Sequence, residues 1–304
     1  MGTAIALGNF DGVHLAHAAL IRSAKEFAAA KDDQSLAYVF EPHPKKLFHP
    51  EADIKLLMTP EMKARRLREA GADCVFLEKR GMEILSLSPE TFFENVLMKE
   101  LNASFITAGF NYRFGKNASG DAALLKKLCA EEGIACRILD PMTAEGEPIS
   151  STRLRALLEH GEISAYNIMS FAPYTVSGTV QKGKQLGRTI GFPTLNVEIP
   201  TSLLLPKKGV YISRTYLDGI WYESITNIGV NPTVETAMPR AESYLPEFAG
   251  DAYGKCAETA LLQFIRPEQK FGTLAALKEQ IAKDTEITKR YFKEWDFDND
   301  VKRI

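Results

Sequence analysis

The first 150 residues alternate between short apolar runs and longer stretches in which apolar side chains recur every three to four positions. Short apolar runs predict buried strands, and the longer spacing predicts amphipathic helices. The predicted strands cover residues 3–7, 35–40, 74–77, 104–108 and 134–139, and the predicted helices cover 14–30, 60–70, 89–101, 121–132 and 151–160. Strands that alternate with helices favour an open parallel sheet with helices on both faces.

The pattern changes near residue 170, after which strands follow one another without intervening helices. Strands are predicted at 174–180, 209–216, 221–227 and 258–264, and one long helix at 273–291. Short strands separated by Gly, Pro and Asn turns are typical of a small antiparallel barrel. The predicted fold class is therefore α/β. It joins an open parallel-sheet, Rossmann-like domain over residues 1–170 to a small antiparallel β-barrel with a terminal helix over residues 171–304.

Composition and charge indicate which kinds of molecule the protein is expected to bind. The chain has 304 residues, a formal net charge of −2, and acidic and basic side chains that are interspersed. A nucleic-acid surface usually needs a concentrated basic face, so we expect small-molecule substrates and no nucleic acid. No apolar run approaches the roughly 20 residues of a membrane span, so we also expect no membrane partner. We expect a monomer or a weak oligomer.

The cysteines and the start of the chain bear on localisation. The four cysteines form no C-x-x-C pair, which favours free thiols in a reducing compartment over a disulfide framework. Residues 1–7 are too short and uncharged for a signal peptide. We therefore expect a cytoplasmic protein.

Residues 8–17 (GNFDGVHLAH) join the first predicted strand to the first predicted helix. Glycines allow a tight turn and close approach to a ligand, and the N-terminus of a helix favours phosphate. His14 and His17 lie three positions apart, so they share one helix face. Two imidazoles there could donate hydrogen bonds to a triphosphate. An incidental pair of histidines and a metal site are alternatives that this spacing alone leaves open.

Residues 178–196 (GTVQKGKQLGRTIGFPTLN) form a second glycine-rich stretch. The backbone N–H groups of such a loop can surround a phosphate, with Lys or Arg nearby. The stretch lacks the G-x-x-x-x-G-K-[ST] pattern of a P-loop. On the glycines alone, a flexible hairpin connection is an equally good interpretation.

The first half resembles the bacterial FAD synthetase module, a relative of the H-x-G-H nucleotidyltransferases. Residues 8–17 are similar to the start of that module. Three further segments resemble its motifs in the same order: 40–44 (FEPHP), 109–115 (GFNYRFG) and 149–155 (ISSTRLR). This resemblance implies FMN adenylyltransferase activity, in which FMN and ATP give FAD and pyrophosphate.

The same resemblance implies roles for individual residues. The implied catalytic residues are His14, His17 and Arg153. The implied ATP- and phosphate-binding residues are Gly8, Asn9, Asp11, Ser151 and Thr152. The implied flavin-binding residues are Phe110, Asn111 and Tyr112. Ala16 and Asn111 stand where many members have Gly and Asp.

The second half resembles riboflavin kinase. Residues 178–196 are similar to its signature G-x-V-x-x-G-x-x-x-G-R-x-[IL]-G-[FY]-P-T-x-N, and the supporting segments are 206–211, 227–233, 242–254 and 266–271. The resemblance implies that Gly183 and Gly187 shape the nucleotide loop and that Thr194 and Asn196 bind Mg²⁺. It also implies that Glu242 is the general base.

Together the two resemblances imply the bacterial bifunctional riboflavin kinase/FAD synthetase family, with ATP, riboflavin, FMN and FAD as substrates or products and Mg²⁺ as cofactor. Two alternatives stay open from the sequence. One is a monofunctional FMN adenylyltransferase with a degenerate kinase domain, because Tyr244, Pro246 and Glu247 depart from the family pattern near Glu242. The other is a flavin or nucleotide sensor that binds without turnover.

Overall fold

The computed structural model describes residues 1–183, 187, 190–230 and 238–294. Contacts divide the chain into two compact units, Met1–Ser151 and Thr152–Ile304, and each is described by itself. The domain boundary near residue 170 stays a prediction. No helix in the described part of the chain is long and apolar enough to cross a membrane.

A five-stranded parallel sheet forms the centre of the first unit, as the alternating pattern predicts. Its strands are β1 (Thr3–Leu7), β2 (Gln34–Phe40), β3 (Cys74–Glu78), β4 (Ala103–Gly109) and, numbered after two short strands, β7 (Ala135–Leu139). The spatial order is β3-β2-β1-β4-β7, and every neighbouring pair is parallel. Central β1 is fully buried from Ala4 to Leu7. Its carboxyl end therefore opens at the middle of the sheet, where ligands bind in such folds.

Helices cover this sheet. They are α1 (Leu15–Lys31), α2 (Pro44–Phe48), α3 (Pro60–Glu69), α4 (Met82–Leu85), α5 (Pro89–Thr91) and α6 (Ala122–Glu131). Short strands β5 (Arg113–Phe114), β6 (Gly120–Asp121), β8 (Thr143–Ala144) and β9 (Glu147–Pro148) form two hairpin-like ladders. Side chains at the N-termini of the longer helices stabilise them: Thr59 caps α3 and Asp121 caps α6.

The single helix predicted for residues 89–101 is wrong in its type. Only α5 is α-helical, and Phe92–Glu100 continues as a π-helix, with Leu101 N–H donating to Val96 O at 3.0 Å. The wider π turn keeps Phe92, Phe93, Val96 and Leu97 on one buried face. Periodicity alone does not distinguish the two helix types.

A six-stranded antiparallel sheet curls into a nearly closed barrel in the second unit, which confirms the predicted barrel. Its strands are β10 (Thr175–Thr179), β11 (Thr194–Glu198), β12 (Gly209–Leu217), β13 (Ile220–Val230), β14 (Pro239–Tyr244) and β15 (Cys256–Arg266). The spatial order is β10-β15-β12-β13-β14-β11. Gln181, just beyond β10, donates its N–H to Asn196 O of β11 at 2.8 Å and nearly closes the barrel.

Six hydroxyl groups line the inside of this barrel and bond to one another in a closed ring. In order around the ring they are Ser213, Ser224, Thr215, Thr259, Ser243 and Thr226, with oxygen–oxygen distances of 2.7 to 3.3 Å. All six side chains are buried. Because each hydroxyl can donate and accept, every hydroxyl group in the ring has hydrogen-bond partners inside the barrel. It also holds β12 to β15 in register.

Three helices among the described residues complete the second unit: α7 (Ser151–His160, which begins at the last residue of the first unit), α8 (Ile163–Met169) and α9 (Leu274–Glu294). Asp284 of α9 is 2% exposed and accepts from Arg266 at the end of β15, with Nη2–Oδ2 at 2.8 Å and Nε–Oδ1 at 3.2 Å. Gln280 Nε2 also donates to Asp284 Oδ1 at 2.9 Å. These bonds hold α9 against the barrel.

Candidate active sites

The loop between β1 and α1 is conformationally strained. Phe10 (φ 51°) and Val13 (φ 35°) adopt positive φ values although neither is glycine, and Gly12 (φ 87°) lies between them. A positive φ is unusual for any L-residue and most of all for a β-branched one. Such strain concentrates at functional sites, where the surrounding structure maintains it. The loop therefore has the backbone geometry expected of a ligand-binding turn.

His14 and His17 lie together at the N-terminus of α1. Their rings stack with centroids 3.6 Å apart and planes within 13°. His14 is the N-cap residue of α1, and its Nδ1 accepts the backbone N–H of His17 at 3.3 Å. Because Nδ1 of His14 accepts, the hydrogen of its neutral ring is on Nε2. The cap thus fixes which nitrogen of His14 can donate to a ligand.

Both imidazoles are neutral near pH 7. Burial lowers the pKa of His14 to about 4. Burial also lowers the pKa of His17 well below its ordinary value, and the charge of Lys63, together with that of His14 whenever His14 is protonated, lowers it further. Neutral imidazoles donate hydrogen bonds without bringing a full charge into the protein. A bound anion would reverse this balance and favour their protonation.

We expect the stability of the first unit to fall as the pH decreases from 6.5 towards 4. An unfolded histidine takes up its proton near pH 6.5 but folded His14 only near pH 4, so the unfolded state binds more protons in this window. Each pH unit by which the pKa of the folded state lies below that of the unfolded state lowers the free energy of unfolding at the acid end of this window by about 1.4 kcal/mol. The measurement is thermal unfolding across this pH range. The variant His14→Asn retains a capping side chain without the titration and should show a shallower dependence. An unchanged slope in that variant would contradict the assignment.

A hydrogen bond at Asp11 links residues 8–17 to residues 149–155, the two segments of the first half that are predicted to bind phosphate. It is 2% exposed, and its Oδ1 accepts the backbone N–H of Leu57 at 3.0 Å. Its carbonyl oxygen accepts the hydroxyl hydrogen of Ser151 at 2.7 Å. The structure therefore brings Asp11 and Ser151 together within the first unit. Thr152 is exposed and Arg153 is half-buried, and both lie on α7 at the start of the second unit.

A cavity of about 150 Å³ lies beside this loop. Gly8 and Asn9 line it together with aromatic and other apolar side chains, among them Tyr38, Phe40, Phe92, Tyr112 and Phe114. An aromatic lining suits a flat heterocycle. Of the three residues predicted to bind flavin, Tyr112 lines the cavity, while Phe110 and Asn111 are exposed and do not line it.

Replacing Ala16 with Gly should preserve or raise adenylyl transfer. Ala16 is half-buried at the second position of α1, between the two histidines. Removing its methyl group gives the backbone more room towards a nucleotide, and glycine costs the helix roughly 0.5–1 kcal/mol. Steady-state rates of FAD formation and the unfolding midpoint measure both effects. A clear loss of rate would mean that the loop has adapted to alanine.

The second unit has a larger cavity, of about 350 Å³, on the outer face of the barrel. Strand residues from β11, β13 and β14 form one wall, and Leu277, Ile281 and Asp284 of α9 form another. Gly187, Thr194 and Glu242, all predicted for the kinase site, line this cavity. The structure thus brings them to one site.

Three polar side chains form a row across neighbouring strands, and two of them, Asn227 and Glu242, line this cavity. Glu242 of β14 lies directly opposite Asn196 of β11 on one side and Asn227 of β13 on the other. Directly opposite residues share one face of an antiparallel sheet. Thr194 lies two residues from Asn196 and so is on the same face, and Asn196 Nδ2 donates to Thr194 O at 3.3 Å. The two residues predicted to bind Mg²⁺ are therefore beside the predicted base.

Two glycines of the kinase signature are required by close contacts. A Cβ at Gly183 would lie 2.6 Å from the amide atoms of Asn196, and a Cβ at Gly187 would lie 2.3 Å from Phe192 O. A side chain at Gly187 would collide with the backbone at Phe192, whereas a side chain at Gly183 would displace the amide group of Asn196. Residues 184–186, 188–189 and 231–233 of the predicted kinase segments lie outside the described residues.

The departures near Glu242 leave its strand intact. β14 ends at Tyr244, two residues before Pro246, so the proline removes no hydrogen bond from this strand. Pro246 and Glu247 are exposed. Tyr244 lines the cavity, and its ring contacts Phe192 edge-on with centroids 5.1 Å apart.

Sequence reasoning missed several residues at the two sites. In the second unit, Arg266 and Asp284 form a buried ion pair at the cavity, and Glu268 Oε1 accepts from Asn227 Nδ2 at 3.1 Å. In the first unit, Lys63 is 1% exposed. A signal for Lys63 was present, because it shares a helical stripe with the apolar residues Ala64 and Leu67.

Comparison with known proteins finds a family match for each half of the chain. Residues 1–153 match the family model for FAD synthetase, and residues 170–292 match the one for riboflavin kinase. The bifunctional riboflavin kinase/FMN adenylyltransferase of Listeria monocytogenes is 36% identical over 95% of this chain and 92% of its own length. The protein of the same name from Escherichia coli is 35% identical over 96% and 93%. Fold and sequence together define a two-domain, ATP-dependent transferase.

The chain belongs to the bifunctional riboflavin kinase/FMN adenylyltransferase family. A solved structure from Streptococcus pneumoniae, described as a macrolide-efflux protein, superposes with a TM-score of 0.87 at 28% identity, and the match covers 97% of this chain and 95% of that one. The likeness extends over both units.

Proposed function

We propose that this protein phosphorylates riboflavin to FMN in its second unit and adenylylates FMN to FAD in its first, with ATP as the donor in both reactions. The observation that supports this most strongly is that each unit assembles its own polar site. The first has the stacked pair His14–His17 on a strained loop, and the second has Glu242 in a row between Asn196 and Asn227.

In adenylyl transfer, a phosphate oxygen of FMN attacks the α-phosphorus of ATP, and pyrophosphate leaves with the electrons of the broken P–O bond. His14, through Nε2–H, and His17 donate hydrogen bonds to the phosphates at the N-terminus of α1. Ser151 donates a hydrogen bond to the loop that includes Asp11. Such a reaction depends mainly on positioning and charge neutralisation. The aromatic cavity beside Asn9 accommodates a heterocycle of FMN or ATP.

In riboflavin phosphorylation, Glu242 accepts the proton of the ribityl hydroxyl as that oxygen attacks the γ-phosphorus of ATP, and ADP leaves. The 350 Å³ cavity gives a flavin access to Glu242. Gly183 and Gly187 belong to the nucleotide loop, and a Cβ at Gly187 would collide with the backbone oxygen of Phe192.

Mg²⁺ fits the donors at the kinase site. Thr194 and Asn196 offer a hydroxyl and a carboxamide oxygen on one face, and hard neutral oxygens of this kind complete the shell of an ion held mainly by phosphate. When bound, the ion neutralises charge on the nucleotide. Thr194 and Asn196 would hold it beside Glu242.

We further propose that the protein acts in the cytoplasm, as a monomer or weak oligomer, on small molecules and not on nucleic acid. Its interspersed charges and net charge of −2 support this.

The test is a product analysis of purified protein with riboflavin, ATP and Mg²⁺, and in parallel with FMN, ATP and Mg²⁺. Both FMN and FAD should form from riboflavin. FAD from FMN without any FMN from riboflavin would show a monofunctional adenylyltransferase. Flavin binding with no product in either mixture would show a sensor.

A further inference from the structure

Three enclosed side-chain atoms near the β1–α1 loop have no hydrogen-bond partner. They are Nδ1 of His17 on α1, Oε2 of Glu41 just after β2, and Nζ of Lys63 on α3. Buried polar atoms are nearly always bonded, so three exceptions near one loop need an explanation. Two of the three, at His17 and Lys63, can donate hydrogen bonds to an anion.

Lys63 lies on the inner face of α3 with Met62, Ala64 and Leu67. Its side chain is 1% exposed and its ammonium nitrogen is enclosed, so it does not extend to solvent as most buried lysines do. Burying an ammonium group without hydrogen-bond partners for its N–H groups costs free energy. This lysine therefore costs stability in the structure without ligand, which is typical of a group retained for function.

Lys63 interacts electrostatically with residues predicted to take part in adenylyl transfer. Burial lowers the pKa of its ammonium, the carboxylates of Asp11 and Glu41 raise it, and Lys46 lowers it. Lys63 also lies close enough to His17 to lower the pKa of that imidazole. The neighbours of Lys63 thus come from the β1–α1 loop, from α1 and from the end of β2, around the carboxyl end of the sheet.

We propose that Lys63 binds the phosphate chain of the nucleoside triphosphate during adenylyl transfer and stabilises the departing pyrophosphate together with His17. As the bond between the α-phosphorus and its bridging oxygen breaks, negative charge moves onto the β-phosphate, and Lys63 donates hydrogen bonds to it. No proton needs to be transferred. Asp11 and Glu41 balance the ammonium charge when no nucleotide is bound. This inference rests on the adenylyl-transfer function proposed above.

The test compares Lys63→Met with the wild-type protein. Methionine retains an unbranched chain of similar size in the buried site but removes the ammonium group. FAD formation from FMN should fall about 10²-fold, as for the loss of one preorganised donor in an active site. Riboflavin phosphorylation by the same molecules should be unchanged. Lys127→Met, which removes an exposed lysine of the same unit, should leave both reactions unchanged.

The unfolding temperature distinguishes a ligand-binding role of Lys63 from a structural role. Without ligand, Lys63→Met should unfold at a temperature close to that of the wild type, because the ammonium group forms no hydrogen bond that the variant would lose. Inorganic pyrophosphate with Mg²⁺ should raise the unfolding temperature of the wild type and of Lys127→Met, but not of Lys63→Met.

Two results would overturn the inference: FAD formation within about threefold of the wild type, a negligible energetic effect, or an undiminished response to pyrophosphate in Lys63→Met. A lower unfolding temperature without ligand, together with a retained response, would show a structural lysine. If the wild type forms no FAD from FMN, the proposed function fails instead. The pyrophosphate titration then still decides whether Lys63 binds an anion.

Discussion

Replacing His17 with Ala should slow the conversion of FMN to FAD by orders of magnitude and leave the phosphorylation of riboflavin intact. The imidazole of His17 stacks on that of His14 at the N-terminus of α1, where phosphate charge is best stabilised. Removing a preorganised donor of this kind costs about 10²- to 10³-fold in rate. The measurement is the rate of formation of each product, separated by chromatography.

The His17→Ala substitution leaves the N-terminal cap of α1 in place. The backbone N–H of residue 17 still donates to His14 Nδ1, so the cap of α1 remains. His49→Ala, which removes an exposed histidine of the same unit, is the matched control and should retain both reactions. Equal loss of both reactions in His17→Ala would disprove the assignment of one reaction to each unit.

Replacing Glu242 with Gln should have the opposite effect: the phosphorylation of riboflavin should become orders of magnitude slower, while FMN should still be converted to FAD. Glutamine preserves the size of the side chain between Asn196 and Asn227 but cannot accept a proton at neutral pH. Loss of a general base lowers rates by about 10²- to 10⁴-fold. The measurement is kcat for FMN formation, with the affinity for riboflavin determined separately.

Two observations complete the Glu242 experiment. Riboflavin affinity should change little, because the cavity wall from α9 and the barrel is unaltered. Glu286→Gln, on the exposed side of α9, is the matched control. A fully active Glu242→Gln would mean that another group accepts the proton, and Glu268, which lines the same cavity, would be the next candidate.

Sequence patterns predicted the local elements well because those elements depend on local chemistry. Strand β1 and helix α7 begin and end at the predicted residues. The strand–glycine–helix motif also predicted where the histidines would lie. The neighbouring strands β11 and β14 were not predicted as separate elements. Their pairing joins residues about 45 positions apart, and periodicity in short windows does not detect it.

The candidate sites were predictable only in part, since burial is a property of the tertiary structure. Nothing in the sequence around Lys63 distinguishes it from the solvated charges of the same helix except its place in the apolar stripe. Likewise the row Asn196–Glu242–Asn227 exists only once three strands are in register. The hydroxyl ring inside the barrel helps fix that register, because Thr226 and Ser243 directly adjoin Asn227 and Glu242.

Complementation between the two variants tests the central claim most directly, namely that each unit completes one reaction at its own site. His17→Ala and Glu242→Gln are incubated separately and as a mixture with riboflavin, ATP and Mg²⁺. We predict that His17→Ala stops at FMN, that Glu242→Gln forms no product from riboflavin, and that the mixture forms FAD. FAD from either variant alone, or no FAD from the mixture, would contradict two separate sites that exchange FMN through solution.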